Sequence, residues 1–322
     1  MARTSKTGWI DADEQLLVRL AWACEIEGMT QAAAADKFGI TRLKVNKALS
    51  EARERGIVRI SINSAFAPCA ALEAQLCARF DLQSASVAPI ASVKYDLHTL
   101  LGSALGQYLA GYLQKSDVSL FGMSWGNTLN MATRFMEPLN RPELEIISVM
   151  GGLAKGSDLN SYEITTRLAD LCNAQHSYFT APIYAGSRES RDILTAQEVF
   201  QTTIEKIRAA DGIALAAGEM ASSLLIKDGL PADVDLTDLV ARGAVGDIMG
   251  YFLKADGSLV DHPINERVLG LALDDLQAIN NVILAAGGLH KVPIIAAFLA
   301  RGAVATLVTD QATANALLEN TT

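Results

Sequence analysis

The feature that most constrains this chain is an alternation that begins near residue 84, where short, mostly apolar runs are separated by segments of helical periodicity. The apolar runs are Asp117 to Phe121, Leu144 to Met150, Gly212 to Ala217, Arg267 to Leu273, Asn281 to Ala286 and Val304 to Val308. Helices are expected at 158–173, 190–208, 291–301 and 310–319. Continuous apolar strands are buried on both faces, and a parallel sheet covered by crossover helices buries both. The expected fold of 84–322 is therefore α/β, a doubly wound, mostly parallel sheet. Ligands of such sheets bind beyond the carboxyl ends of the strands.

Three glycine-rich loops fall at such ends. Gly122-Met123-Ser124-Trp125-Gly126-Asn127-Thr128 follows a strand and opens a helix. Free backbone N–H groups at a helix start, beside the Ser124 and Thr128 hydroxyls, make an anion site. Gly151 and Gly152 follow the strand ending at Met150. In Gly287-Gly288-Leu289-His290-Lys291 the lysine supplies a point charge for a phosphate. Gly218, just past Ala217, is placed with them. Asp247 lies among small and apolar residues; a buried carboxylate needs partners, either ligand hydroxyls or a structural hydrogen bond. Tyr162, Arg188 and Arg191 are further candidate ligand contacts.

Gly122 to Gly126 also fits the G-x-S-x-G nucleophile elbow of α/β-hydrolases, with His176, His262 and His290 downstream. Against that reading, no His-Gly-Gly segment precedes Ser124, and little sheet precedes its strand. Thr128 suits phosphate binding and has no place in an elbow. An enzyme, either a hydrolase or a sugar-phosphate isomerase with an accessory N-terminal module, is the alternative. The histidines, His98 included, show no metal spacing and are expected at the surface or in the core. No metal or cofactor is expected.

Residues 1–63 read differently. Asp11 to Glu27 is an amphipathic helix ending at Gly28, Thr30 caps a helix at 31–38, and Gly39 suits a tight turn. Thr41 caps Arg42 to Arg55, with Leu43, Val45 and Leu49 available for its inner face. Gly56 ends that helix, and Ile57 to Ile62 alternates like a half-buried strand. This is the order of a winged helix-turn-helix, whose second helix enters the DNA major groove. The candidate DNA contacts are Thr30, Gln31, Thr41, Arg42, Lys44, Val45, Asn46, Lys47 and Arg59, with Lys47, Arg53 and Arg59 suited to phosphates. Charge agrees: residues 1–63 hold ten Lys/Arg against eight Asp/Glu, whereas the remainder holds 17 against 28. A polyanion is attracted to the first part and repelled by the rest. Between them, 64–83 reads as a linker helix, with Cys69, Leu72, Leu76 and Phe80 on one stripe that packs on a second subunit or within the chain.

The four scattered cysteines read as reduced thiols. No run is long enough to span a membrane, and Met1 to Trp9 lacks the apolar stretch of a signal peptide, so a cytoplasmic location is expected.

Several stretches together resemble the SorC family of bacterial sugar-responsive regulators, along essentially the whole chain. They are Met29-Thr30-Gln31-Ala32 with Gly39, Gly122 to Leu129, Gly243 to Ile248, His262 to Arg267, Ala285 to Lys291, and Ala297 to Gly302 with Leu307 to Asp310. The resemblance implies an effector domain similar to sugar-phosphate isomerases, without turnover. It implies phosphate contacts at Ser124, Gly126, Asn127, Thr128 and Lys291, and the sugar end near Asp247. It also implies a homotetramer whose grip on operator DNA changes with a small phosphorylated sugar or polyol, controlling a carbohydrate catabolic operon. Asn127 stands where the family loop is expected to carry a small or hydroxylated residue, which leaves an unphosphorylated polyol open.

Overall fold

In the computed structural model, which describes residues 12–58, 67–89, 96–153, 160–221 and 223–319, the chain divides into two units, Met1–Ser64 and Ala65–Thr322. In the small unit α1 (Ala12–Ala21) runs into a wider turn, Trp22–Ile26, closed by the Glu27 N–H on the Trp22 carbonyl at 3.0 Å. It is followed by α2 (Gln31–Phe38) and α3 (Arg42–Glu54). Their starts are set by side chains: Thr30 accepts from the Ala33 N–H at 3.2 Å and Thr41 from the Lys44 N–H at 3.3 Å. Gly39 ends α2 at φ 63°, a left-handed conformation that only glycine adopts freely. Leu17, Leu20 and Ala21 of α1, Ala34 and Ala35 of α2, and Val45, Leu49 and Ala52 of α3 form one core.

Two expectations for α3 are reversed here. Val45, placed among the DNA contacts, is 0% exposed in that core, while Leu43, placed on the inner face, is 78% exposed. The inward set is 45, 49 and 52, spaced by four and three; a residue two positions away points about 200° round the helix. Ile57 and Val58 pack partly on the core. The rest of the expected wing strand, with Arg59, lies outside the described residues.

The large unit opens with α4 (Ala67–Phe80), whose Cys69, Leu72 and Leu76 are buried in that unit's own core. Then come β1 (Ser84–Ala88), α5 (Leu97–Leu113), β2 (Leu120–Met123), α6 (Asn127–Phe135), β3 (Glu145–Ser148), α7 (Ser161–Cys172) and β4 (Gln175–Ser177). Next are α8 (Arg188–Thr195), α9 (Glu198–Arg208), β5 (Gly212–Leu215), β6 (Ala217–Glu219), α10 (Leu236–Ala241), β7 (Ala244–Ile248) and β8 (Tyr251–Lys254). The chain closes with β9 (Val282–Ala285), α11 (Val292–Ala300), β10 (Thr306–Asp310) and α12 (Gln311–Glu319).

Seven strands make one parallel sheet in the order β1-β10-β9-β5-β2-β3-β4. β5, β9 and β10 are buried at every position; β5 and β9 are unbroken apolar runs, and β10 also buries Thr306, Thr309 and Asp310. From β2 the chain winds outward to β3 and β4, then returns to β5 on the other side of β2 and winds away through β9 and β10. The order therefore reverses between β2 and β5, and a crevice opens beyond their carboxyl ends.

Other expectations are corrected. Residues 267–273 are not a sheet strand; Val268 and Gly270 make single antiparallel bridges to Tyr184 and Met150. The helix expected over 190–208 is two helices, parted at Ala196 and Gln197. A separate antiparallel sheet, β6-β7-β8, was not expected. Its β7–β8 hairpin turns on Met249 (φ 53°) and Gly250 (φ 85°), the paired positive φ of a tight two-residue turn.

Candidate effector cavity and nucleic-acid face

The loops after β2, β5 and β9 meet at the crevice, together with the β7–β8 hairpin, around a cavity of about 130 Å³. Trp125, Gly126, Asn127 and Thr128 form one wall, and Gly218, Asp247 and Lys291 stand among the other lining residues. Seven of the expected effector residues are thus brought together. The remaining five do not line the cavity. Gly122 lies inside β2, where an added Cβ would sit 2.6 Å from Ile213 and from Val149. Ser124 is buried with its N–H on the Ala214 carbonyl at 3.1 Å. Gly151 and Gly152 let the backbone approach 181–182 and Asn160, and Gly288 donates to Asp310 and Thr313 at 2.8 and 2.7 Å.

The first wall suits an anion. Gly126 begins α6 at φ 127° with no side-chain cap, so the opening N–H groups of the helix face the cavity end without a local acceptor. Beside them His98 Nδ1 lies 3.4 Å from Thr128 Oγ1. Burial holds the His98 ring below its ordinary pKa, and Lys291 and His290 push the same way against Asp96.

The cavity also carries buried charge. Lys291 donates to the Ala217 carbonyl at 2.9 Å. Burial lowers its pKa, while Asp247 and Glu219 work to keep it charged. The Asp247 carboxyl is raised to about 6 by burial and by Glu219, against the Gly250 N–H and Lys291. Gly218 makes room for it, since a Cβ there would lie 2.0 Å from Asp247 Oδ1. Carboxylates of this kind accept hydrogen bonds from hydroxyl groups. His98, Glu219, Ser223, Met249 and His290 line the cavity and were missed from sequence, His98 because it arrives from α5, far from any glycine loop. Among the other candidates, Tyr162 is spent on the Phe179 and Ala181 carbonyls, and Arg188 pairs with Glu266. No group of three metal-ligating side chains occurs among the described residues, and no described helix could cross a membrane.

In the small unit Thr41, Arg42, Lys44, Asn46 and Lys47 are exposed at and after the start of α3, Thr30 is exposed at the start of α2, and Gln31 is half-buried. Arg53 and Arg55 are engaged with Glu25 and Glu14 at 2.7 and 2.9 Å, which ties α3 to α1 and its extension.

A parallel-sheet domain with a polar cavity at its switch point, in a chain that also carries a helix, turn and exposed basic helix, defines the class of ligand-responsive transcriptional regulators. Residues 64–319 match the family described as "Putative sugar-binding domain". The chain is 27% identical to the erythritol catabolism regulatory protein EryD of Brucella abortus over 96% of its length and 98% of the relative's. It is 30% identical to the transcriptional regulator LsrR of Klebsiella pneumoniae over 95% of its length and 94% of the relative's. The crystal structure of the full-length sorbitol operon regulator SorC from Klebsiella pneumoniae superposes with a TM-score of 0.70 at 27% identity, covering 95% of this chain and 99% of that one. The chain belongs to the SorC family of sugar-responsive transcriptional regulators. It is a regulator and not an enzyme, as these relatives are.

Proposed function

We propose that the cavity beyond β2 and β5 binds a small phosphorylated sugar or polyol, and that this binding changes the hold of α3 on operator DNA. The observation that carries the proposal is that one cavity holds both an uncapped helix start at Gly126 and the charged groups Lys291, Asp247 and Glu219. The phosphate rests on the N–H groups of Asn127 and Thr128 with Ser124 beneath, Lys291 supplies the counter-charge, and Asp247 accepts from ligand hydroxyls. Two relatives are named for polyols, erythritol and sorbitol, which supports a linear, hydroxyl-rich ligand. On α3, Thr41, Arg42, Lys44 and Asn46 face the bases, and Lys47, with Arg59 beyond the helix, faces phosphates. The protein works in the cytoplasm as a homotetramer, in line with the family resemblance. The effector shifts DNA affinity only by its different affinity for two arrangements of the subunits.

A thermal-shift screen against polyols, sugars and their phosphates tests the effector. A ligand that binds only the folded chain raises the melting temperature. The expected result is a shift from a phosphorylated compound that disappears in Lys291→Ala. A shift from free polyols alone removes the phosphate and keeps the regulator.

A further inference from the structure

On α3 one side chain does not fit a purely polar reading face. Leu43, in the first turn, is 78% exposed and is the most exposed large apolar side chain among the described residues. It sits between the exposed Arg42 and Lys44, on the same side as Asn46 and Lys47. A lone surface leucine needs no explanation, but this one stands in the first turn of α3, and the N-terminal residues of the second helix in a helix-turn-helix reach base edges. Its cationic neighbours also select the occupant: a polyanionic duplex is drawn to them, and an apolar protein patch is not.

In the major groove the edges of adenine, guanine and cytosine present donors and acceptors, and thymine adds a methyl group. An isobutyl group gains nothing against a donor or acceptor and leaves it unsatisfied. We propose that Leu43 is a specificity-determining residue that packs on the methyl group of a thymine in the operator. Arg42, Lys44 and Asn46 make the polar contacts around it. The inference rests on α3 being the DNA-reading helix, and it adds a base preference that those polar residues do not supply.

The test uses the full-length protein and a random duplex DNA library. Sites enriched by the wild-type chain are resynthesised with each thymine replaced in turn by deoxyuridine, which lacks only the methyl group. At one thymine the replacement should weaken wild-type binding about fourfold, the effect of leaving one buried methyl in water. Leu43→Ala should bind the thymine and deoxyuridine duplexes equally, and Leu43→Met should restore the preference. Because Leu43 is exposed, both variants should melt with the wild type. A deoxyuridine effect that persists in Leu43→Ala, or no methyl-sensitive thymine in an enriched site, overturns the assignment while α3 remains the reading helix. Failure of the wild-type chain to enrich any site overturns the DNA reading and this inference with it.

Discussion

The two units hold their candidate sites differently with respect to their own cores. In the small unit the proposed DNA-reading groups are what the core leaves out: Val45, Leu49 and Ala52 turn inward, and Arg42, Lys44, Asn46 and Lys47 stay in water. In the large unit the proposed effector-binding groups are enclosed, with Asp247 and Lys291 held where burial and neighbouring charges shift their pKa values. An exposed site tolerates side-chain truncation without loss of fold. An enclosed site couples ligand recognition to stability, because each polar group there needs a partner.

The largest test of that contrast is Gly218→Ala. Its methyl group would lie 2.0 Å from Asp247 Oδ1 and displace the carboxylate. The effector-induced thermal shift should vanish, and the unliganded protein should lose about 1–3 kcal/mol, the usual range for overpacking. Unchanged effector binding would mean that Asp247 is dispensable to the ligand.

Next in size is a pH effect. Burial pushes the Asp247 carboxyl up from its ordinary 3.8 to about 6 in the folded chain. A raised folded-state pKa means that the stability linked to its proton is complete below about pH 4 and is lost as pH rises through about 6. The loss is about 3 kcal/mol for a shift of roughly two pKa units. Urea unfolding between pH 4 and 7 should show it, and Asp247→Asn should flatten that slope. A slope unchanged in the variant would assign it to another group.

The smallest effect belongs to the exposed helix. Lys44→Ala should leave the melting temperature in place and cost about 1–3 kcal/mol at the base it touches, with relaxed sequence preference. Val45→Ala, one residue along, should do the reverse by opening a cavity in the small core. Should Lys44→Ala weaken all sequences equally, Lys44 contacts phosphate rather than a base.

How much of this was legible follows from burial. β5 and β9 are central and wholly apolar, so composition alone marked them, and β10 was marked by its apolar Leu307 and Val308. β4 is an edge strand reading Gln-His-Ser, which carries no hydrophobic signal because one edge and much of its surface face water. Residues 267–273 carried the apolar signal of a strand without being one, since Val268, Leu269, Leu271 and Leu273 are buried all the same. In the cavity, Trp125 to Thr128 and Lys291 were announced by glycine loops after strands. His98 was not, because nothing local marks a helix residue that meets Thr128 thirty positions later.

By itself the sequence determined the helix starts at Thr30 and Thr41, the turn at Gly39, the central strands and the loops at their ends. Each of these rests on interactions within a few residues or on the uniform burial of a short run. Only the tertiary structure decided which of Leu43 and Val45 faces the core, which glycines line the cavity, and that His98, Glu219 and Met249 join it. Those outcomes depend on how distant elements cross, and the packing of one element against another is not encoded in the periodicity of either.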